Sequence, residues 1–218
     1  MRPFLNIGTR IGQILLPQDC LLCQAASGGQ LLCQACAREL PSTASACPRC
    51  ASAGAHNAEC GACIADPPHY DASCAAFAYT YPVDALIQAL KYGGQLALAA
   101  LFAHELQRRI GRAHGLDLIV PLPLHPQRLG QRGFNQAAEI AKVLSRLQGI
   151  AMDAQLARRE RATNVRQAFA CDRDLAGLRI AVVDDVMTTG ATLDEFARTL
   201  KRSGAARVEN WVVARTLD

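Results

Sequence analysis

Four Cys-x-x-Cys pairs crowd into residues 20–63 of this 218-residue chain: Cys20/Cys23, Cys33/Cys36, Cys47/Cys50 and Cys60/Cys63. Moving the first two pairs along by 27 residues superimposes them on the last two at all four positions, so the segment is a tandem repeat of CxxC-x9-CxxC. An internal period of that kind constrains architecture before any other feature is weighed. Each unit offers four thiolates, the complete shell of a tetrahedral Zn²⁺ with no position left open for chemistry. One or two structural Zn²⁺ ions are therefore expected, with pairing inside each repeat as the default and crossed pairing of the knuckles left open. Disulfides are the competing use of the same residues, but they belong to exported proteins. The opening MRPFLNIGTRIGQILL has Arg10 and Gln13 inside its apolar run and no small-residue cleavage site after it, so export is not expected. A redox CxxC of the thioredoxin kind would stand alone beside a βαβ pattern, not fourfold in a loop-rich segment. His56 and His69 are not needed to complete either shell, and Cys74 and Cys171 are read as small buried hydrophobes.

The rest of the chain has a different texture. Half of all residues are hydrophobic and 19% are charged, which excludes a disordered tail protein and leaves enough chain for a core. The net charge of +4 is too mild to name a partner. Its excess is local: residues 128–179 hold ten basic and five acidic side chains, and 20 of the 23 basic residues are arginine. That bias suits bidentate phosphate contacts, although an arginine-rich composition throughout explains it equally well. No apolar stretch approaches the roughly 20 residues of a membrane span, so membrane insertion is not expected and a cytoplasmic location is.

ADPPHYD at residues 65–71 reads as a linker, dividing an N-terminal region of 1–66 (a helix and the two cysteine units) from a domain of 71–218. Beyond it, strand-like stretches at 74–79, 118–120, 180–183 and 208–214 alternate with helical ones at 83–92, 96–110, 134–147 and 193–200. That alternation predicts an α/β domain with a parallel sheet, whose sites lie at the carboxyl ends of strands.

One such end carries the chemistry. In IAVVDDVMTTGAT, residues 180–192, an apolar strand delivers Asp184 and Asp185 onto a loop of small hydroxylated residues at a helix start. Free backbone N–H groups of Thr188–Thr192 there make an anion site. The hydroxyls of Thr188, Thr189 and Thr192 add donors, and Gly190 permits close approach. Two acids beside an anion cradle make sense if they accept hydrogen bonds from a vicinal diol, so the array fits a 5-phosphorylated ribose. Arg128 and Arg132 flank a glycine-containing turn before a helix, placed either to meet a diphosphate or to lie solvated on the surface. Asn135 is read as a helix cap, and Phe134 as a core anchor.

VVDDVMTTGAT resembles the phosphoribosyl pyrophosphate (PRPP) motif of type I phosphoribosyltransferases. The order of cysteine pairs, LKYGG at 90–94, VPLPLHPQRLGQRGFNQA at 120–137 and then this motif resembles the ComF family along nearly the whole chain. The resemblance implies a type I phosphoribosyltransferase-like domain behind a small zinc ribbon. It implies that Asp184 and Asp185 hold the ribose hydroxyls, and that Thr188, Thr189, Gly190, Ala191 and Thr192 wrap the 5-phosphate. Lys91 matches the family lysine after the first helix, and the turn at Val120–Leu124 stands on the pyrophosphate side. Two functions follow as expectations. One is binding of PRPP or a 5-phosphoribose group in DNA uptake, with single-stranded DNA and the competence machinery as partners. The other is an active transferase with Mg²⁺ on the PRPP, Asp184, Asp185, Arg128 and Arg132 as catalytic residues and an unknown acceptor. Relatives carry a longer stretch after the arginine near 158; here Arg158-Arg159-Glu160 runs almost directly into Arg161-Ala-Thr-Asn164, which weighs on turnover more than on binding.

Overall fold

The computed structural model describes residues 19–43, 45–159 and 168–217. The helix expected at the extreme N-terminus lies outside the described residues, as does most of the shortened 158–164 stretch. The chain forms two compact units, Met1–Leu40 and Pro41–Asp218.

The repeat seen in the cysteines is repeated in the backbone. Helix α1 (Gln34–Arg38) starts directly after Cys33, and α2 (Gly61–Ala65) starts directly after Cys60. In the first knuckle of each repeat the residue after the CxxC has positive φ, 60° at Gln24 and 58° at Ala51. Its N–H closes a turn onto the first cysteine, Gln24 N to Cys20 O at 2.9 Å and Ala51 N to Cys47 O at 2.8 Å. A non-glycine residue is rarely found in that region of backbone space. It occurs at both equivalent places although the residues there, Gln24 and Ala51, differ.

The second unit is built on a five-stranded, wholly parallel sheet. Its strands are β1 (Ala72–Ala78), β2 (Leu118–Pro121), β3 (Ala151–Met152), β6 (Arg179–Met187) and β7 (Arg207–Arg215), in the spatial order β1-β7-β6-β2-β3. A separate antiparallel pair, β4 (Arg158–Arg159) with β5 (Phe169–Ala170), brackets the 160–167 stretch. The central strands are apolar runs because helices cover both faces. Helices α4 (Ala97–Ile110) and α6 (Gln136–Gln148) pack on each other, α4 over β1 and β7, α6 over β2 and β6; α3 (Val83–Tyr92) leans on α4. Helix α7 (Ala191–Arg202) packs on β7 and β5, burying Leu193, Phe196, Ala197 and Leu200 at the i, i+3, i+4, i+7 spacing of one apolar stripe. Phe196 meets Phe169 edge-on, with centroids 4.9 Å apart. Each such side chain contributes about 1.5–3 kcal/mol by leaving water.

The sheet positions its site through unequal strand lengths. β2 pairs with β6 as far as Pro121 opposite Val183, and Leu122 N still reaches Val183 O at 2.9 Å. β6 runs on to Met187, held on its other side by β7 through Met187 opposite Arg215. Residues 184–187 therefore project past β2 and leave a crevice at the carboxyl end, where parallel sheets place their ligands. The two acids lie within the strand itself, not on a loop as expected. Strand alternation then turns Asp185 inward, 4% exposed, and leaves Asp184 half-buried.

Two smaller expectations need correcting. A short helix α5 (Pro126–Arg132) fills what reads as a turn, because Pro126 suits a first helical position and the His125 ring accepts from Gln127 N at 3.2 Å. Phe134 is half-buried outside the helix, and Cys74 and Cys171 are half-buried as well, although burial still lifts the Cys74 thiol to about 11. Asn135 is the cap: its side chain accepts from Ala137 N at 3.0 Å and donates to Leu122 O at 3.0 Å, tying α6 to the crevice wall.

Candidate functional site

At the crevice lies a cavity of about 310 Å³. It is lined by Lys91 from α3, Arg128 and Arg132 from α5, Asp184 and Asp185 from β6, and Thr188, Gly190 and Thr192 around the start of α7. Residues scattered over a hundred positions of chain thus meet in one pocket of small-ligand size. Thr189 and Ala191 do not line it; Thr189 Oγ1 accepts from Ala191 N at 3.3 Å.

The electrostatics are asymmetric. Lys91 Nζ stands 2.9 Å from Asp185 Oδ1, a pair with side chains only 15% and 6% exposed. The other oxygen, Asp185 Oδ2, is buried with no hydrogen-bond partner among the described residues. Buried carboxylate oxygens are normally satisfied, because desolvation without a partner costs free energy, and Oδ2 lacks that compensation among the described residues. Asp184 Oδ1 accepts from Asp185 N at 2.8 Å. Arg132 is held at the rim by Tyr92, whose hydroxyl takes Nη2 at 2.8 Å and whose ring lies 4.9 Å from the guanidinium carbon. Arg128 is exposed. Tyr92 and Tyr79 were not foreseen as part of this site, whereas Leu122 lies in the 120–124 turn expected there; LKYGG placed a tyrosine beside the lysine without showing which way it turned.

Gly190 is demanded by its surroundings. With φ at +83°, it would place a Cβ 2.8 Å from Met187 Cε and 3.0 Å from the Tyr70 hydroxyl. No side chain fits there without displacing buried neighbours.

The cysteines form two clusters, Cys20/Cys23/Cys33/Cys36 and Cys47/Cys50/Cys60/Cys63, with the ligand atoms of each within 4.8 Å of one another. Cys23 and Cys33 sulfurs are 3.7 Å apart, and Cys50 and Cys60 sulfurs 3.6 Å. A regular tetrahedron with metal–sulfur bonds of about 2.3 Å has edges of roughly 3.8 Å, so the donors already stand where Zn²⁺ would hold them. Neither His56 nor His69 joins a cluster; His69 instead pairs with Asp194 at 3.1 Å. Burial opposes ionisation of Cys20 and Cys47, but N–H donors outweigh it: those of Cys23, Cys33 and Leu22 bring Cys20 down to about 6, and those of Cys50, Cys60 and Arg49 bring Cys47 down to about 7. The partners go the other way. Neighbouring sulfurs push Cys36 up to about 12, and burial followed by the Cys50 and Cys60 sulfurs raises Cys63. Within each cluster the shifts run in opposite directions, and a doubly charged cation would offset the repulsion among four thiolates.

Comparison with known proteins finds two family matches. The double zinc ribbon domain matches residues 11–64, and the phosphoribosyl transferase domain matches residues 131–217. The chain is 34% identical to "DNA utilization protein YhgH" of Salmonella typhimurium over 94% of its length and all of the relative. It is 31% identical to "Competence protein F" of Haemophilus influenzae (84% and 90% covered) and 26% identical to "Competence protein ComFC" of Bacillus subtilis (85% and 84%). Among solved structures, a purine phosphoribosyltransferase from Pyrococcus horikoshii aligns over 56% of this chain and 74% of its own, at 19% identity and a TM-score of 0.35. The molecule is thus a double zinc ribbon protein with a phosphoribosyltransferase-type α/β domain. It belongs to the ComF family. Among the described residues no helix is long and apolar enough to cross a membrane.

Proposed function

We propose that the crevice binds a 5-phosphorylated ribose, as PRPP or as a phosphoribosyl end, and that the protein uses this in the utilisation or uptake of DNA. The names of its relatives, DNA utilization protein and competence protein, support the cellular setting. The observation that carries the molecular reading is the buried, partnerless Oδ2 of Asp185 beside Asp184. A ribose diol supplies the O–H donors such an oxygen lacks. Lys91 neutralises one of the two acids, which removes the repulsion an incoming phosphate would otherwise meet so close to a carboxylate pair.

Amides and hydroxyls at Thr188–Thr192 would take the 5-phosphate, Ala191 N after release from Thr189. Arg128 and Arg132 would meet a diphosphate, the latter turned from its stack on Tyr92. The carboxylate oxygens of Asp184 and Asp185 and the nearby hydroxyls are ligands of the kind Mg²⁺ accepts; they would help hold Mg²⁺, which would supply positive charge to offset a diphosphate. Asp184, Asp185, Arg128 and Arg132 then orient the sugar and hold the pyrophosphate charge, whether or not transfer follows.

Calorimetric titration of the zinc-loaded chain with ribose 5-phosphate, and with PRPP plus Mg²⁺, tests this. Asp185→Ala should lower affinity about 10-fold or more, as expected when a charged hydrogen-bond acceptor is lost. Absence of binding to wild type, or unchanged binding by the variant, overturns the reading. Pyrophosphate release would mark a transferase; binding without release would mark a binding module. For the DNA role, log affinity for a single strand should fall with log salt as counterions are released, and a flat line counts against it.

A further inference from the structure

The loop that closes the crevice rests on the second cysteine cluster through one buried arginine. Arg215 ends β7 and is 5% exposed. Its Nε donates to Cys50 O at 3.1 Å and its Nη2 to Ser52 Oγ at 3.2 Å. Its Nη1 donates to Met187 O at 3.4 Å and to Thr188 O. A single planar fork therefore joins the backbone of a metal-ligand residue to two carbonyls of the strand end that carries the phosphate loop. Tyr70, 3% exposed, stands against Gly190 from the same side, and a cavity of about 530 Å³ lies among Cys50, Cys60, Cys63, Tyr70, Gly190 and Arg215. The cysteine turn has few large apolar side chains of its own; its buried sulfurs lie on the core, and a cation held by all four would fix Cys50 O relative to the other three ligands.

We propose that Arg215 is a positioning residue, and that through it metal occupancy of the Cys47/Cys50/Cys60/Cys63 site sets the order of residues 187–192 and hence their affinity for a phosphate ester. The affinity part rests on the phosphoribosyl reading; the ordering part does not. A guanidinium fork needs all its acceptors at fixed positions. When Cys50 O is fixed by its metal-bound side chain, the fork is fixed, and it in turn holds Met187 and Thr188. Loss of the metal frees one end of that chain of contacts.

Hydrogen exchange of the full-length, zinc-loaded protein at the amides of residues 187–192 reads the ordering, and calorimetry with ribose 5-phosphate reads the affinity. Arg215→Met should speed exchange at those amides and weaken ribose 5-phosphate by about 10-fold, the size of one lost charge-assisted hydrogen bond. Zinc content should stay at the wild-type value, and Arg215→Lys should recover part of both effects. A folded Arg215→Met with wild-type exchange and affinity overturns the proposal. Should that variant not fold, the wild-type chain titrated with a zinc chelator decides: loop exchange must rise as the second cluster empties, and exchange independent of zinc overturns the proposal. Exchange that follows Arg215 and zinc in a protein that binds no ribose 5-phosphate would uphold the ordering and refute the ligand assignment alone.

Discussion

The two cysteine units share spacing, turns and helix starts, yet their surroundings differ. In the first, Cys20 is buried, Cys23 is exposed, and Cys33 and Cys36 are half-buried. In the second, Cys47, Cys50 and Cys63 are buried and continuous with a core that includes Val182, Leu193, Phe196 and Val212. The second unit is also tied to the sheet by hydrogen bonds: Thr43 Oγ1 to Ala75 O at 2.7 Å, Ser73 N to Pro48 O at 3.0 Å and Ala78 N to Pro41 O at 2.8 Å. Ligand spacing therefore specifies a metal site without specifying its task. One lies in a small compact unit of its own, and the other is a structural part of the α/β domain.

The sharpest way to break this contrast is to remove one ligand from each unit. Structural zinc contributes on the order of 10 kcal/mol to the folding of small metal-dependent domains. Cys63→Ala is expected to lower the main thermal transition by roughly 10 °C or more, several kcal/mol in a unit of this size. Cys23→Ala should move it by no more than about 2 °C on the same scale. Equal shifts in calorimetric scans would erase the distinction. Thr43→Val tests the seam itself: Thr43 is 4% exposed, and losing its bond while leaving Ala75 O unpaired should cost about 1–2 kcal/mol in urea unfolding.

The smallest effect is a matter of pH. Asp71, where the linker enters β1, is pushed up by burial but more strongly down by Lys201 at 2.7 Å and by the Val208 N–H at 2.8 Å, so its carboxyl sits below its ordinary 3.8. A carboxyl depressed by folding adds stability above its unfolded value and loses it as pH falls through the folded one. Asp71→Asn should thus cost up to about 1 kcal/mol at pH 7, as partly exposed pairs do, and the gap to wild type should narrow below pH 4. A gap of constant size would show that the ion pair is not what holds this entry.

Much of this was readable beforehand, for physical reasons that can be named. Cysteine spacing encodes metal geometry directly, the apolar run at 180–183 reads as a buried strand, and 208–214 reads as the last strand. The continuation of β6 through Asp184 and Asp185 was not readable, because two adjacent acids look like a solvated loop until β7 is known to pair with them. Lys91 and Asp185 are 94 residues apart, and nothing near either predicts the 2.9 Å contact. Arg215 was missed most completely: an arginine after an apolar run reads as a strand end meeting water, while its partners at 50 and 52 lie far back in the chain.

The 27-residue repeat has a last consequence, for inheritance. Its halves descend with the same sulfurs but are no longer interchangeable parts. Ala51, 1% exposed against the sheet, corresponds to Gln24 in the other half, and Ser52, which receives Arg215, corresponds to Ala25. A chimera with residues 20–36 transplanted onto 47–63 would keep every thiolate, bury an amide where a methyl now fits, and leave a guanidinium nitrogen short of its hydroxyl. The two copies of one fastening touch different things, and that difference is what keeps one from standing in for the other.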